Sequence, residues 1–236
     1  MGRGWCVVLA AIAAWPAAAQ RGGRQTARDL FYAEAGLIVS PAEGRKGKFG
    51  GAKKSTIAVT LGLKYRLWKL QGEKPVEWES GGPWAVGDHA RLGIEINDTG
   101  YLYVVHRQAS GAWRRLFPTP EIERGSHFVR SGVVYPLPPE EGLELTLPGG
   151  AERFLVVLAR EPVRELESLV GPLAAENTVS AAPPPEISEG VLEKTRSLFP
   201  SKDLLIERVA GEKTVYVVNR TGKAESVVAV EIRLGR

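Results

Sequence analysis

The stretch GYLYVVHRQASGAWRRLFPTP, Gly100 to Pro120, sets aromatic residues, one histidine and three arginines on either side of Ala109-Ser110-Gly111. Two readings compete: a binding or catalytic surface, or a β-hairpin whose aromatics fill a core. Side chains alternate along a strand, so Tyr101, Tyr103 and Val105 share one face and Leu102, Val104 and His106 the other. Both faces are apolar at the centre, which places this strand inside a sheet. Tyrosine and tryptophan suit strands and bring apolar area with a polar tip. Arg107, Arg114 and Arg115 fall at the strand ends as solvated positions. The stretch reads as scaffold.

The same period continues on both sides. In LGLKYRLWKL, Leu63, Tyr65 and Leu67 share one face while Lys64 and Arg66 share the other. ARLGIEIN repeats it, with Leu92, Ile94 and Ile96 inward and Arg91, Glu95 and Asn97 outward. Asn97-Asp98-Thr99-Gly100 supplies turn chemistry, with Gly100 suited to a positive φ. GVVYPL and LELTL are shorter strands, and RFLVVLA (153–159) is apolar throughout, as a central strand requires. Two short helices are expected. EPVRELESLVGP has Pro162 in its first turn and Gly171 past its end, and ISEGVLEKTRSLF stops before Pro200. DLLIERV, KTVYVVN and SVVAVEIRL then give three strands that need the earlier sheets to cover their apolar faces.

The first twenty residues have the pattern of an export signal: Arg3, an apolar run from Trp5 to Trp15, Pro16, then Ala17-Ala18-Ala19 before Gln20. Cleavage is expected after Ala19. The only cysteine, Cys6, lies inside this signal, so the mature chain is expected to carry no disulfide. Beyond it no segment approaches the ~20 apolar residues of a membrane span.

Charge is uneven. From Arg21 to Leu70 there are eleven Lys/Arg against three acids, and from Gln71 onward nineteen against twenty-four. Residues 20–54 read as a basic flexible segment; within it ARDLFYAEAGLIVSP suits one turn of helix or a short strand equally. Arg45, Lys46, Lys48, Lys53 and Lys54 fall within ten residues without an acid, the composition of a loop that attracts anionic surfaces. Residues 55–236 are expected to form a single domain.

Candidate chemistry is sparse. His89, His106 and His127 show no metal-ligand spacing, and the mature chain offers no cysteine to help, so no metal is assigned. Ser126 and His127 are adjacent and on a strand would point to opposite faces. GKFGGAKKS lacks the spacing of a phosphate loop, and no G-x-S-x-G elbow occurs. Glu140, Glu141 and Glu144 fit a solvated loop; a carboxylate pair for glycoside hydrolysis is set by distance in space. Asn97-Asp98-Thr99 and Asn219-Arg220-Thr221 match the glycosylation pattern. No catalytic residue and no cofactor is assigned.

WAVGDHARLGIEINDTGYLYVVHR, GAWRRLFPTPEI, SHFVRSGVVYPLP and LPGGAERFLVVLAREP, in that order, resemble the bacterial family catalogued as domain of unknown function 4384. The matching positions are Trp84, Gly87, Asp88, Gly100-Tyr101-Leu102-Tyr103 and Leu116-Phe117-Pro118. The chain departs from that pattern by inserting Gly150 and Ala151 before Glu152, and by carrying Ser126-His127 where asparagine is usual. The resemblance spans about 82–161, with 162–200 as a helical linker and 203–234 as C-terminal strands, a flanking pattern similar to exported acidobacterial-type members. It implies a β-rich module of unknown activity and carries over no catalytic residue.

The expected fold is a mainly antiparallel β-sandwich, immunoglobulin-like in general architecture. The expected function is a non-catalytic envelope module that binds a protein or an anionic polymer. The competing reading is an envelope hydrolase whose site assembles only in space, for example from His89, His106 and a carboxylate.

Overall fold

The computed structural model describes residues 25–33, 37–38, 55–56, 60–72, 74–107, 111–146, 151–167, 186–199, 201–223 and 225–235. In chain order the elements are α1 (Ala27–Phe31), β1 (Leu37–Ile38), β2 (Ser55–Thr56), β3 (Gly62–Gln71), β4 (Lys74–Trp78), β5 (His89–Ile96), β6 (Gly100–Arg107) and β7 (Trp113–Phe117). They continue as β8 (Phe128–Val129), β9 (Val134–Leu137), β10 (Leu143–Glu144), β11 (Ala151–Ala159), β12 (Glu186–Ile187), α2 (Glu189–Leu198), β13 (Leu204–Arg208), β14 (Val215–Asn219) and β15 (Val227–Gly235).

β1 and β2 pair with each other, and the remaining strands form two antiparallel sheets face to face. Sheet I runs β10-β5-β3-β14-β13, with β4 beside β3 and β9 beside β5. Sheet II runs β12-β7-β6-β11-β15, with β8 beside β6. The C-terminal strands therefore complete both sheets, as their apolar faces demanded. Leu63, Tyr65, Leu67, Leu92, Ile94 and Ile96 from sheet I meet Leu102, Val104, Phe117, Phe154, Val156 and Leu158 from sheet II. β11, paired to β6 and β15, is apolar without alternation because both its faces are covered, Phe154, Val156 and Leu158 within the sandwich and Leu155, Val157 and Ala159 under the outer layer.

Each sheet is covered on its outer face as well. On sheet II, Tyr103, Val105, Trp113, Leu155 and Val157 pack under Val163, Leu166 and Leu192 of the following chain and helix. The Tyr103 hydroxyl accepts from the Val163 amide at 3.0 Å and donates to the Glu167 carboxylate. Burial and that carboxylate push the Tyr103 phenol up from its ordinary value. Trp113 Nε1 donates to Glu189, and the Arg196 guanidinium lies 5.3 Å above its ring. The hairpin is thus the middle of a layered core. We expect Tyr103→Phe, which leaves the Val163 N–H without its acceptor, to cost about 1–3 kcal/mol. Arg114 pairs with exposed Glu186 at 3.7 Å, and Arg114→Ala should change stability by less than about 0.5 kcal/mol. Urea midpoints of the two variants check this; equal shifts would contradict the scaffold reading.

On sheet I the cover is α1. Thr26 and Asp29 form a capping box that starts this short helix. Phe31 and Tyr32 then set their rings edge-on against Tyr216, at 5.7 and 6.0 Å. Of the two options for this part of the 20–54 segment, both occur, a helix at Ala27–Phe31 and a strand at Leu37–Ile38. Lys64, expected among solvent-facing residues, is only 7% exposed. Its Nζ reaches Tyr32 Oη at 2.8 Å and Glu95 at 2.9 Å, because α1 lies across that end of the face.

Other expectations changed in detail. Gly100 is not at positive φ; it is a strand residue whose Cβ would stand 2.5 Å from the Ala159 carbonyl oxygen. The helix expected from residue 161 begins as tight turns, ending with a bond from Glu167 N–H to Val163 C=O at 3.1 Å; its continuation lies outside the described residues. The second expected helix is α2. The export-signal segment 1–20 also lies outside the described residues. Among the described residues, no helix is long and apolar enough to cross a membrane.

Candidate functional site

The outer face of sheet I beyond α1 is the most featured open surface. Alternation puts Arg66, Trp68 and Leu70 of β3 beside Gly93, Arg91 and His89 of β5, in register pairs Arg66–Gly93, Trp68–Arg91 and Leu70–His89. Gly93 sits where a side chain is not tolerated: a Cβ there would come within 2.3 Å of the Trp68 ring. The partly exposed indole therefore reaches the neighbouring strand with its Cζ3–Cη2 edge at bare backbone.

At the end of this face an open groove of about 670 Å³ is lined by Leu70, Gly72, His89, Arg91, Glu140 and Glu141. Its volume falls in the range of ligand pockets. The far wall is the loop after β9. β9 pairs with β5 through Leu137–Leu92 and Pro136–Gly93, which brings residues 138–142 alongside the groove, and Gly142 packs against Leu70. The same loop borders a second groove of about 360 Å³, shared with Arg115, Leu116, Thr119 and Glu121. Glu140 and Glu141 line both.

Charge pairing on this face stops at the groove. Lys64 is matched to Glu95 and Arg66 to Glu77 at 3.4 Å. The side chains of His89, Arg91, Glu140 and Glu141 make no hydrogen bond or ion pair with any described residue, and Arg91 Nε is buried without a partner.

The three histidines are kept apart. His89 faces outward from sheet I. His106 faces the interior from sheet II, its Nε2 at 2.7 Å from Glu152 Oε2, with the ring 4.9 Å from that of Phe154. His127 lies on the outer side of sheet II against Tyr101 and Tyr103, with Nε2 3.3 Å from Glu167. His89 and His106 thus lie on opposite sides of sheet I and share no cleft. Ser126 Oγ accepts from the Phe128 amide at 3.1 Å, a turn contact. Among the described residues no group of three or more potential metal ligands occurs.

Both glycosylation-pattern asparagines are consumed by the fold. Asn97 donates to Thr60 C=O and accepts from Gly62 N–H, each at 2.7 Å. Asn219 donates to Val227 C=O at 2.8 Å and accepts from Thr221. The basic cluster Arg45, Lys46, Lys48, Lys53 and Lys54 lies outside the described residues.

Fold and surface together define a two-sheet β-sandwich with an aromatic platform and an adjoining charged groove. Residues 84–162 match the family model described as Domain of unknown function (DUF4384), about the span of the resemblance read from the sequence. No curated protein and no solved structure matches the chain.

The motif residues of that segment serve the architecture. Trp84 is buried, donates from Nε1 to Glu79 C=O at 3.0 Å, and meets the Trp78 ring edge-on. Asp88 Oδ2 accepts from Ala85 N–H at 2.7 Å and from Lys69. Burial acts to raise this carboxyl, but the Lys69 and Ala85 hydrogen bonds outweigh it and hold it below its ordinary value. Gly87 N–H and Leu145 C=O, and Leu145 N–H and Asp88 C=O, tie this turn to the chain after β10 at 2.9 and 2.8 Å. Trp68 and Gly72 precede the matched segment, so only the β5 and loop side of the groove belongs to it. Sequence reading missed the Trp68 platform. The signal for it was Gly93, a glycine in mid-strand, which often marks close approach of another group.

Proposed function

We propose that this chain is an exported, non-catalytic binding module of the cell envelope, taking an envelope polymer on the outer face of sheet I around Trp68. The observation that carries this reading is the partly exposed Trp68 reaching over Gly93 beside an open groove. A partly exposed indole offers large rigid contact area to an apolar ligand surface such as that of a sugar ring, and neighbouring polar groups fix the ligand's orientation. Arg66, Glu77 and the groove residues provide such groups. The proposal of export rests on the pattern of residues 1–20, from Arg3 through the apolar run to Ala17-Ala18-Ala19.

The test is co-sedimentation with insoluble peptidoglycan from the native envelope, wild type against Trp68→Ala. Truncating an aromatic anchor of a binding site costs about 2 kcal/mol or more, roughly thirtyfold in affinity. Retention should fall accordingly while the urea midpoint shows the variant folded; Trp68→Phe should keep part of the binding. Equal retention by folded wild type and Trp68→Ala, or none by either, refutes the proposal.

A further inference from the structure

We propose that the groove beside Trp68 receives a zwitterionic amino-acid or peptide unit, its carboxylate on Arg91 and its ammonium on Glu140 and Glu141. This rests on reading that face as the ligand surface, and it adds the chemistry of the ligand.

A folded surface usually satisfies its partly buried charges within itself. Here Lys64 and Arg66 on β3 each have an acid, yet half-buried Arg91 has none, and the exposed side chains of His89, Glu140 and Glu141 around the groove pair with no described residue. Arg91 is fixed on the paired strand β5, beside Trp68 in register, and its side chain has no acid partner among the described residues. A carboxylate in the groove would meet the two Nη groups at the end of the planar fork with parallel hydrogen bonds, the buried Nε being out of reach. The opposite wall, reached through Pro138 and Pro139 and seated where Gly142 meets Leu70, carries only acceptors in its ionised state.

The two walls exclude other ligands. A phosphate monoester or an acidic glycan without an amine would satisfy Arg91 but face two carboxylates, and like charges across an interface cost affinity. A purely cationic ligand would satisfy the glutamates and leave Arg91 as it is. Only a ligand carrying both charges matches both walls. Leu70 and Gly72 leave the floor apolar and open, so a small side chain fits between the charged ends.

The experiment is a titration of the full-length, isotope-labelled protein at low ionic strength, where screening is weakest. The probes are tri-alanine with free termini, its N-acetyl form, its C-terminal amide, and inorganic phosphate. Tri-alanine should shift amide resonances of residues 89–93 and 138–142. Each blocked form and phosphate should bind at least about tenfold more weakly, the factor that one lost charged contact of 1.4 kcal/mol represents. Arg91→Gln should abolish the preference for tri-alanine over its amide and keep the preference over the N-acetyl form. Glu140→Gln with Glu141→Gln should do the reverse. These positions lie on the surface, so both variants should fold. Equal binding of all four probes, or shifts elsewhere, overturns the proposal. If tri-alanine does not bind while peptidoglycan retention still depends on Trp68, the zwitterion inference falls and the binding-module reading stands. If neither is seen, both fall.

Discussion

Glu152→Ala will lower the stability of this fold by about 3–5 kcal/mol, the usual cost of removing one partner from a buried ion-paired or hydrogen-bonded carboxylate. Glu152 is fully buried at the start of β11. Its Oε1 accepts from Thr146 N–H at 2.7 Å and Thr146 Oγ1 at 2.9 Å, while Oε2 holds His106 Nε2 at 2.7 Å. Alanine takes away the partner of Thr146 N–H, Thr146 Oγ1 and His106 Nε2 at once and leaves a void. Thr146 is exposed and can turn to water, but His106 cannot, because Phe154 and the sheet above enclose it. Glu152→Gln keeps an oxygen for Thr146 and should cost much less. Replacing both Glu152 and His106 with leucine should come close to wild type, since a buried pair exchanged for apolar residues of similar volume is often neutral. Urea unfolding of the four proteins decides the matter, and a double-mutant cycle reports the coupling directly. A loss below about 1 kcal/mol for Glu152→Ala would show that water reaches the pair.

That pair marks where sequence reading stopped. Period two was enough for the strands, since Leu63, Tyr65, Leu67, Leu92, Ile94 and Ile96 all point inward as read. Continuous apolarity correctly put Tyr101–Val105 and Phe154–Ala159 at the centre of sheet II. What alternation does not carry is which of two faces a third layer will cover. Lys64 sits at an outward position by period, yet Phe31 and Tyr32 fold over it from thirty-odd residues away. His106 and Glu152 are forty-six residues apart and meet only because the ladder sets Phe154 against His106. The groove has the same origin. Arg91 was read as an outward strand residue and Glu140-Glu141 as a solvated loop, both correctly, and only the β9–β5 pairing brings them to one site. Local pattern fixes faces; long-range pairing decides which faces meet.

The same pairing makes a final outcome predictable: a fragment confined to residues 84–162 will not fold. The matched segment contains β5 through β11 but ends in the middle of both sheets. β5 would lose β3 along eight register pairs, from Ile96–Leu63 to His89–Leu70, and β11 would lose β15 along nine. Sheet I would keep only β5 with the short β9 and β10. Ten core residues would go with the missing strands: Leu61, Leu63, Tyr65, Leu67, Val215, Val217, Val228, Val230, Ile232 and Leu234. At about 1.5–3 kcal/mol for each buried apolar side chain, their burial amounts to roughly 15–30 kcal/mol. That exceeds the net stability of about 5–15 kcal/mol typical of a whole domain. The fragment would also expose two long unpaired strand edges, which template association between chains. Residues 60–235 should instead unfold in one cooperative urea transition, while 84–162 should show no sigmoidal transition and should sediment as aggregates. A dispersed amide spectrum and a sharp transition from the fragment would mean that the matched segment is autonomous. The outer strands would then be additions to it, and Trp68, which lies on β3, would belong to the addition and not to the module.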